Sequence, residues 1–291
     1  MKVESSILFL ASCVAATRSA KRGLVHIPNS NWPQDNNIWI QPGSDLTWYY
    51  NYGQEPSTQY SSVPQSQIEF VPQKWGQSSN PLDTSFSTYV NSLIAGGRAI
   101  KNVLAYNEPE YPYSYGGAQL TPATAAQGWI ADFVPLQKQG VRIGLPAVNG
   151  DDFGLQWLDQ FLANCTQMVQ QSHIANQCPY DFLPIHWYND FGGLQTLLNK
   201  VNSMFNPPKI WLTEFTDPNV DLATTQNFYN QAIPYLDGLS NLERYSWFGA
   251  FRSNVSNVGP NATFLNKAGQ LTDIGSWYLG GGSTGVLPTS G

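Results

Sequence analysis

The sequence predicts a single-domain (β/α)8 barrel, also called a TIM barrel, within the α/β class. Eight short β-rich runs follow one another along the chain, and helical patterns separate several of them. Residues 23–280 contain no linker, charge block or low-complexity segment. Their length of about 260 residues is close to the roughly 250 typical of such barrels. A doubly wound open sheet is the alternative that the same pattern allows.

The strand signals are short runs rich in β-branched and aromatic residues. They are Gly23–Pro28, Leu46–Tyr52, Gln67–Val71, Asn102–Tyr106, Val141–Pro146, Phe182–Tyr188, Lys209–Phe215 and Glu243–Phe251. Helix signals are clearest at Thr121-Pro122, an N-cap followed by proline in the first helical position, and between Asp221 and Gly238. Loops rich in Pro, Asn and Ser separate the first strands, so helices are not expected there.

The N-terminus has the pattern of a secretory signal. Lys2 precedes an apolar run that ends in small residues, so residues 1–16 are predicted to be a signal peptide. Lys21-Arg22 is typical of a dibasic processing site, which makes residues 17–22 a short propeptide; a charged turn is the alternative. Residues 23–280 then form the folded domain, and residues 281–291 a flexible tail. The protein is expected to be secreted.

The cysteines and sequons agree with export. Cys165 and Cys178 are the two cysteines outside the predicted signal, and in an oxidising compartment they are expected to form a local disulfide. Two unrelated buried thiols are the alternative. Glycosylation sequons begin at Asn164, Asn254 and Asn261.

The composition is acidic, poorly charged and rich in aromatics. The formal net charge is −6, 12% of the residues are charged and 13% are aromatic. A disordered chain would be charged and poor in aromatics, and a nucleic-acid-binding protein would need a basic surface. The longest apolar run, Ile7 to Ala16, is too short to span a membrane. We therefore expect a globular monomer with neither a nucleic acid nor a membrane as partner.

No metal or cofactor is expected from the sequence. Three separated histidines and one cysteine pair do not form a ligand cluster. The glycines from Gly280 to Gly285 match a dinucleotide fingerprint and a serine-hydrolase elbow, but both motifs need a strand before them and a helix after them. Here the stretch lies near the C-terminus and precedes Val286-Leu287-Pro288, which is not a helical pattern.

Six glutamates follow residue 22, and their positions in the predicted barrel indicate which of them can lie in an active site. The active site of such a barrel lies at the C-terminal ends of its strands. Glu69 and Glu243 begin their strands, so a stabilising or solvated role at the opposite end is expected. Glu55 lies in the loop after the second strand, where a surface role is expected and a substrate contact is the alternative. Glu108 and Glu214 end the fourth and seventh predicted strands, and therefore emerge at the active-site end.

Two carboxyl groups at the mouth of a barrel suit cleavage of a glycosidic bond. One is held protonated as the acid, and the other is ionised and attacks the anomeric carbon. The fourth and seventh strands lie across the barrel mouth, which makes a meeting of Glu108 and Glu214 plausible. Glu110, further along the same loop, is the rival acid. Two unrelated surface ion pairs are the alternative, although the chain has few basic groups to form them.

Four motifs carry a resemblance to a known family. Asn107-Glu108-Pro109, His186-Trp187-Tyr188, Thr213-Glu214-Phe215 and Trp247 resemble, in barrel order, the clan of retaining (β/α)8 glycoside hydrolases. Within that clan, the segments 105–110 and 211–215 are most similar to glycoside hydrolase family 128, which contains secreted fungal and bacterial endo-β-1,3-glucanases. The resemblance extends over essentially the whole chain after residue 22, and it implies a β-glucan partner and a place outside the cell or in a cell wall.

The resemblance also implies roles for individual residues. Glu108 would be the acid/base and Glu214 the nucleophile. Asn107 would bind the sugar 2-hydroxyl, Tyr188 would hold the nucleophile's carboxylate, and Trp247 would form the floor under the sugar. His186 would donate a hydrogen bond within the same network, or else be a satisfied core histidine.

The remaining aromatics suggest a sugar-binding cleft, because an aromatic ring packs well on the apolar face of a pyranose. Alternation along the second strand places Trp48 and Tyr50 on one face and Tyr49 on the other, so not all three can line a cleft. The expected cleft residues are Trp75, Trp187 and one or more of Tyr111, Tyr113 and Tyr115.

The leading hypothesis from the sequence is a secreted, retaining endo-β-1,3-glucanase. A lectin-like glucan-binding barrel with little turnover is the first alternative. The second keeps the chemistry and changes the substrate to β-1,4-mannan, cellulose or β-1,6-glucan.

Overall fold

A computed structural model of the chain describes residues 19–291, so the predicted signal peptide and residues 17 and 18 of the predicted propeptide lie outside the described residues. The described part contains short parallel strands. They are β1 (Arg22–Val25), β2 (Trp48–Tyr50), β3 (Glu69–Phe70), β4 (Asn102–Val103), β5 (Arg142–Ile143), β6 (Val148–Asn149), β7 (Leu183–Trp187), β8 (Ile210–Phe215) and β9 (Leu242–Trp247).

The strands close into a barrel. Seven of them form one sheet in the order β3-β2-β1-β9-β8-β7-β6, and β4 pairs with β5. Parallel bridges connect these two groups: Gln73 pairs with Leu104 between β3 and β4, and Asn107 pairs with Ala147 between β4 and β6. Every strand pairing in the two sheets is parallel. The predicted barrel is therefore confirmed, and the open doubly wound sheet is excluded.

The fifth predicted strand, 141–146, contains only β5, and β6 lies just beyond its predicted end. Residues 144–147 separate β5 from β6, and among them Pro146 has no N–H with which to continue a strand ladder. Ala147 N–H then donates to the carbonyl of Tyr106, which restores the contact with the segment after β4.

The helices lie between the strands. They are α1 (Asn36–Trp39), α2 (Ser85–Ala95), α3 (Pro122–Gly128), α4 (Val134–Lys138), α5 (Asp152–Gln171), α6 (Phe191–Phe205), α7 (Leu222–Gly238) and α8 (Asp273–Tyr278). A π-helical segment, Trp129–Phe133, joins α3 to α4. Thr121 caps α3 and Asp221 caps α7, as their sequences predict. Before β3 the only α-helix in the described chain is the four-residue α1, in agreement with the Pro/Asn/Ser-rich loops.

Charged pairs and stacked aromatics fill the end of the barrel where the strands begin. Arg244 donates to Glu69 at 2.6 Å, and Arg142 donates to Glu243 at 2.8 Å. The Arg244 guanidinium also lies 4.4 Å from the centroid of the Trp211 ring. Glu69 and Glu243 therefore have the stabilising role expected of residues at strand starts.

The predicted disulfide between Cys165 and Cys178 is present and joins α5 to the loop before β7. Of the sequon asparagines, Asn254 is exposed and Asn164 is half-buried. Asn261 is half-buried, and its side-chain amide donates to the carbonyl of Val220 at 2.8 Å. Glycosylation at these three positions stays a prediction.

Both ends of the predicted domain extend further than expected. Lys21 Nζ donates to three carbonyls at the end of α7, among them Leu239 O at 2.7 Å, and Arg22 opens β1 and pairs with Asp45. Cleavage after Arg22 would therefore remove two cations that the fold uses, although processing itself stays a prediction. The segment 281–291, expected to be a flexible tail, packs back on the barrel. Ser253 Oγ donates to Pro288 O at 2.6 Å, for example.

No helix within residues 19–291 is long and apolar enough to cross a membrane. The same residues contain no group of three or more His, Cys, Asp or Glu side chains that could hold a metal ion.

Candidate active site

The C-terminal ends of the strands surround an open cavity of about 370 Å³. Glu108, five residues after β4 ends, and Glu214, near the end of β8, both line it. Their side chains are 13% and 6% exposed, so each carboxyl group can meet a ligand while remaining mostly shielded from water. The structure therefore brings together the two carboxylates that the strand-end argument selected.

The backbone at Glu108 is in an unusual conformation. Its φ angle is +37°, in the left-handed region that non-glycine residues rarely adopt. Glu108 N–H donates to Ala147 O at 2.7 Å, which holds the residue against the segment before β6. Gly117 packs on its other side: a Cβ there would lie 2.5 Å from Glu108 O. The surrounding loop thus determines where the Glu108 side chain points, as is common for strained residues at functional sites.

Three tyrosine hydroxyls surround the Glu214 carboxylate. Tyr50 and Tyr52 donate to Oε1 at 3.0 and 2.6 Å, and Tyr188 donates to Oε2 at 2.5 Å. Burial, and then the charge of Glu214, raise the pKa of all three tyrosines well above the ordinary value. They therefore remain protonated donors, and the carboxylate remains the acceptor.

The Tyr188 contact is the one that the family resemblance implies. Tyr50 and Tyr52 were missed as site residues, although a signal was available. The signal was the position of Tyr50 at the end of the second strand, which is the active-site end of the barrel. Tyr52 follows β2 in a left-handed conformation, so strand alternation does not place its side chain.

His186 connects the two glutamates. Its Nδ1 lies 2.9 Å from Glu108 Oε1, and its Nε2 lies 3.6 Å from Glu214 Oε1. Burial alone would lower the pKa of this histidine, but the charge of Glu214 and the hydrogen bond to Glu108 outweigh burial and raise the pKa to about 9. A single imidazolium ring therefore separates the two carboxyl groups at neutral pH.

Asn107 lines the cavity beside Glu108. Its amide nitrogen donates to Gly116 O at 3.1 Å, and its buried Oδ1 has no partner within residues 19–291. A buried amide oxygen without a partner is costly, and a hydroxyl donor from a ligand would satisfy it. This geometry is compatible with the sugar contact that the resemblance implies.

Trp247 does not form the floor of the site. Its side chain is fully buried, its indole N–H donates to Ala262 O at 2.8 Å, and its ring packs 5.3 Å from that of Phe215. Alternation along β9 explains the error: the next residue, Phe248, faces the cavity. The expected position of Trp247 in the site is therefore wrong, and Phe248 lines the cavity instead.

Separate substitutions of Trp247 and Phe248 should distinguish a residue that packs in the core from one that lines the cavity. Trp247→Ala is expected to destabilise the fold by about 3–5 kcal/mol, because it leaves a large cavity in the core. Phe248→Ala should weaken substrate affinity several-fold with a smaller loss of stability. Thermal unfolding and calorimetric titration with a β-1,3-linked oligosaccharide measure both quantities. Equal stability losses with unchanged affinity in both variants would contradict the assignment.

The aromatic residues expected in a cleft lie around the cavity at different depths. Trp75 lines it and stacks against Tyr113, with ring centroids 5.9 Å apart and planes inclined by 23°. Tyr115 is exposed and also lines the cavity. Tyr111 bonds to Asp151 through its hydroxyl. Its ring lies 5.9 Å from that of Phe153, an exposed aromatic that was not selected from the sequence.

Trp187 lines a second cavity, of about 440 Å³, between β6 and β7. Tyr188 lines both cavities, so the second one adjoins the first. Asn149, Asp151, Asn189 and Lys200 contribute polar groups to its wall. Trp187 therefore lies in the adjoining cavity, beside the one that Glu108 and Glu214 line.

Glu110 does not compete with Glu108 as the acid. It does not line either cavity, and its Oε1 accepts the backbone N–H of Asn149 at 2.6 Å. His26, which directly follows β1, is buried between Ser57 and Asn36, and burial lowers its pKa to about 4. Both of its ring nitrogens bond to protein side chains, so its role is structural.

Closed parallel strands that present two carboxyl groups at their C-terminal ends, one of them held by three tyrosines, have the architecture of a barrel glycoside hydrolase. The sequence profile described as the glycosyl hydrolase catalytic core matches residues 23–278, and the chain belongs to this family. The resemblance to glycoside hydrolase family 128 is confirmed by the solved structures that the chain is similar to.

One curated relative is alkali-sensitive linkage protein 1 from Schizosaccharomyces pombe (strain 972 / ATCC 24843). It is 31% identical over 270 residues, which make up 90% of this chain and 44% of the relative. The chain therefore spans less than half the length of this relative.

Two solved structures of family 128 give the closer structural comparison. One is a curdlan-specific exo-β-1,3-glucanase of subgroup III from Blastomyces gilchristii, in complex with glucose. It is 27% identical with a TM-score of 0.67, over 90% of this chain and 98% of that chain. The other is an endo-β-1,3-glucanase of subgroup II from Sorangium cellulosum, 25% identical with a TM-score of 0.69, over 91% of this chain and 99% of that chain.

Proposed function

We propose that the protein is a secreted, retaining endo-β-1,3-glucanase that works through a covalent glycosyl-enzyme intermediate. The observation that carries the proposal is the arrangement of Glu108 and Glu214 on opposite nitrogens of His186, with three tyrosines holding Glu214. The β-1,3 linkage is supported by the named activities of the similar family 128 enzymes.

In the first step Glu108 gives its proton to the glycosidic oxygen, while a carboxylate oxygen of Glu214 attacks the anomeric carbon. The C–O bond to the leaving chain breaks, and an ester forms between Glu214 and the sugar. In the second step Glu108, now a carboxylate, takes a proton from water, and the resulting hydroxide displaces Glu214. The two inversions together retain the anomeric configuration.

The negative charge moves from Glu214 to Glu108 during the first step and returns during the second. His186 lies between the two groups and is charged at neutral pH because its pKa is raised to about 9. Its positive charge therefore favours whichever carboxylate is ionised at each stage. The tyrosine hydroxyls on Glu214 likewise stabilise the carboxylate as the leaving group of the second step.

Endo action is supported by the shape of the site. Trp75, Tyr113 and Tyr115 extend from the catalytic cavity on the side of β3 and β4, and the cavity at Trp187 lies on the side of β6 and β7. Sugar-binding surfaces on both sides suit a chain that continues past the bond being cleaved. An enzyme that removes single terminal sugars needs a closed end instead.

Hydrolysis of a polysaccharide panel tests this function. Soluble β-1,3-glucan should be cleaved to oligosaccharides of several lengths, whereas β-1,4-mannan, cellulose and β-1,6-glucan should not. Proton NMR at early times should show the β-anomer as the first product. Release of glucose alone would contradict endo action, and an α-anomer would contradict retention. Calorimetric binding of glucan without release of reducing sugar would favour a lectin-like protein.

Secretion is tested separately by expressing the full chain in a eukaryotic host. We expect the protein in the medium, with a shortened N-terminus by mass spectrometry. Retention of the full-length chain inside the cells would contradict this part of the proposal.

A further inference from the structure

A third carboxyl group, that of Glu110, lies close to the catalytic pair and takes no part in the chemistry described above. It follows Glu108 by two residues, in the loop that leads from β4 towards α3. Its Oε1 accepts the Asn149 N–H at the end of β6, and its buried Oε2 has no partner within residues 19–291. A buried polar atom left unpaired is uncommon and needs an explanation.

The Glu110 carboxyl is one of several links between this loop and the segment around β6. Another is the hydrogen bond from Glu108 N–H to Ala147 O, at 2.7 Å, and a third joins the Tyr111 hydroxyl to Asp151. The Glu108 link lies at the residue with the left-handed backbone, and the other two lie just after it. Without the Glu110 link, the strained conformation of Glu108 would depend more heavily on the remaining links.

The space around the Glu110 carboxyl is tightly filled. A Cβ at Gly154, in the first turn of α5, would lie 2.9 Å from Glu110 Oε1 and 2.1 Å from Asn149 O. The helix therefore approaches the carboxyl through a residue that has no side chain. This close approach limits the movement of Glu110 and thus of the loop that carries Glu108.

The charge state also suits a supporting role. Burial, and to a smaller extent the charge of Glu108, raise the pKa of Glu110 to about 8, against the opposing effect of the Asn149 N–H. At neutral pH the group is therefore a neutral carboxylic acid. It can hold the Asn149 N–H without placing another negative charge beside Glu108 and Glu214.

We propose that Glu110 is a positioning residue that holds the acid/base Glu108 in its working orientation by tying the loop after β4 to the end of β6. The catalytic part of this proposal rests on the proposed glycosidase function, whereas the structural tie does not. A glutamine at this position can keep the tie, since its side-chain oxygen also accepts an N–H. An alanine cannot.

The kinetic test compares Glu110→Ala, Glu110→Gln and a control, Asp159→Ala, which removes an exposed carboxylate from α5. Glu110→Ala should lower kcat on β-1,3-glucan by about 10- to 100-fold, with KM changed less than about threefold. Its activity on an aryl β-glucoside with a good leaving group should fall much less, because that substrate needs little protonation. Glu110→Gln should restore most of the lost activity, and the control should match the wild type.

A second measurement does not depend on the substrate. Hydrogen–deuterium exchange of the peptides covering residues 107–111 and 147–150 should be faster in Glu110→Ala than in the wild type and Glu110→Gln. Unchanged exchange in these peptides would overturn the tie, whatever the enzyme's activity. If Glu110→Ala shows faster exchange but loses kcat equally on glucan and on the aryl glucoside, the positioning role is overturned. If the wild type cleaves neither substrate while exchange responds as expected, the proposed function fails and the tie stands.

Discussion

Glu214→Ala is expected to lower kcat on β-1,3-glucan by about four orders of magnitude or more. The variant lacks the atom that forms the covalent intermediate, and losses of this size are typical when a nucleophile is removed. Tyr52 and Tyr188 would still line the cavity, so oligosaccharide binding should persist. Initial rates of reducing-sugar release, together with calorimetric titration of the inactive variant, measure the two effects.

Azide provides the decisive control for this variant. A small anion can occupy the space that the carboxylate leaves and attack the anomeric carbon from the same side. The expected product of an activated aryl β-glucoside is therefore an α-glycosyl azide, identifiable by NMR. If Glu214→Ala retains more than about a tenth of the wild-type rate without azide, another residue is the nucleophile and the mechanism proposed above is wrong.

Glu108→Ala is expected to affect substrates according to their leaving groups. On natural glucan, whose leaving oxygen needs a proton, kcat should fall by about 10²–10⁴-fold. On an aryl glucoside with an acidic leaving group the first step needs no acid, so the intermediate should form at a rate much closer to that of the wild type. Its breakdown should then become rate-limiting, because the variant also lacks the base.

Pre-steady-state kinetics distinguishes these steps. A burst of released phenol, followed by slow turnover that azide accelerates, is the expected signature. Equal losses on glucan and on the aryl substrate would contradict the assignment of Glu108 as the acid/base. The same kinetics should be measured on Glu110→Ala for comparison with Glu108→Ala, because Glu110→Ala leaves the Glu108 side chain in place.

The meeting of Glu108 and Glu214 in one cavity was predictable because the signal for each residue is local. Glu108 and Glu214 each follow a short apolar run, and the C-terminal end of a barrel strand is the place where such a residue meets substrate. The same argument assigned Glu69 and Glu243 to the opposite end, where each is paired with an arginine. In these cases, the position of a residue within its strand was sufficient.

The errors arose where the direction of a side chain mattered more than its strand. Trp247 and Phe248 are adjacent, and neighbouring residues of a strand point to opposite faces. A shift of one residue therefore decides which side chain enters the core and which faces the cavity. Tyr52 follows β2 in a left-handed conformation, with a φ of +61°, which no strand pattern predicts. The segment 281–291 looks flexible from its glycines, yet it is held by hydrogen bonds to residues distant in sequence, such as Ser253.

The amino-acid pattern was thus sufficient for the barrel, its family and the two glutamates, because strand periodicity and strand ends are properties of short stretches of chain. The remaining parts of the site depend on contacts between stretches far apart in sequence. Tyr50 and Tyr52 reach Glu214 across more than 160 positions, His186 joins two strands, and Glu110 is tied to the end of β6. Such contacts exist only once the barrel has closed, so the surroundings that make two carboxyl groups a catalytic site became visible in the folded chain.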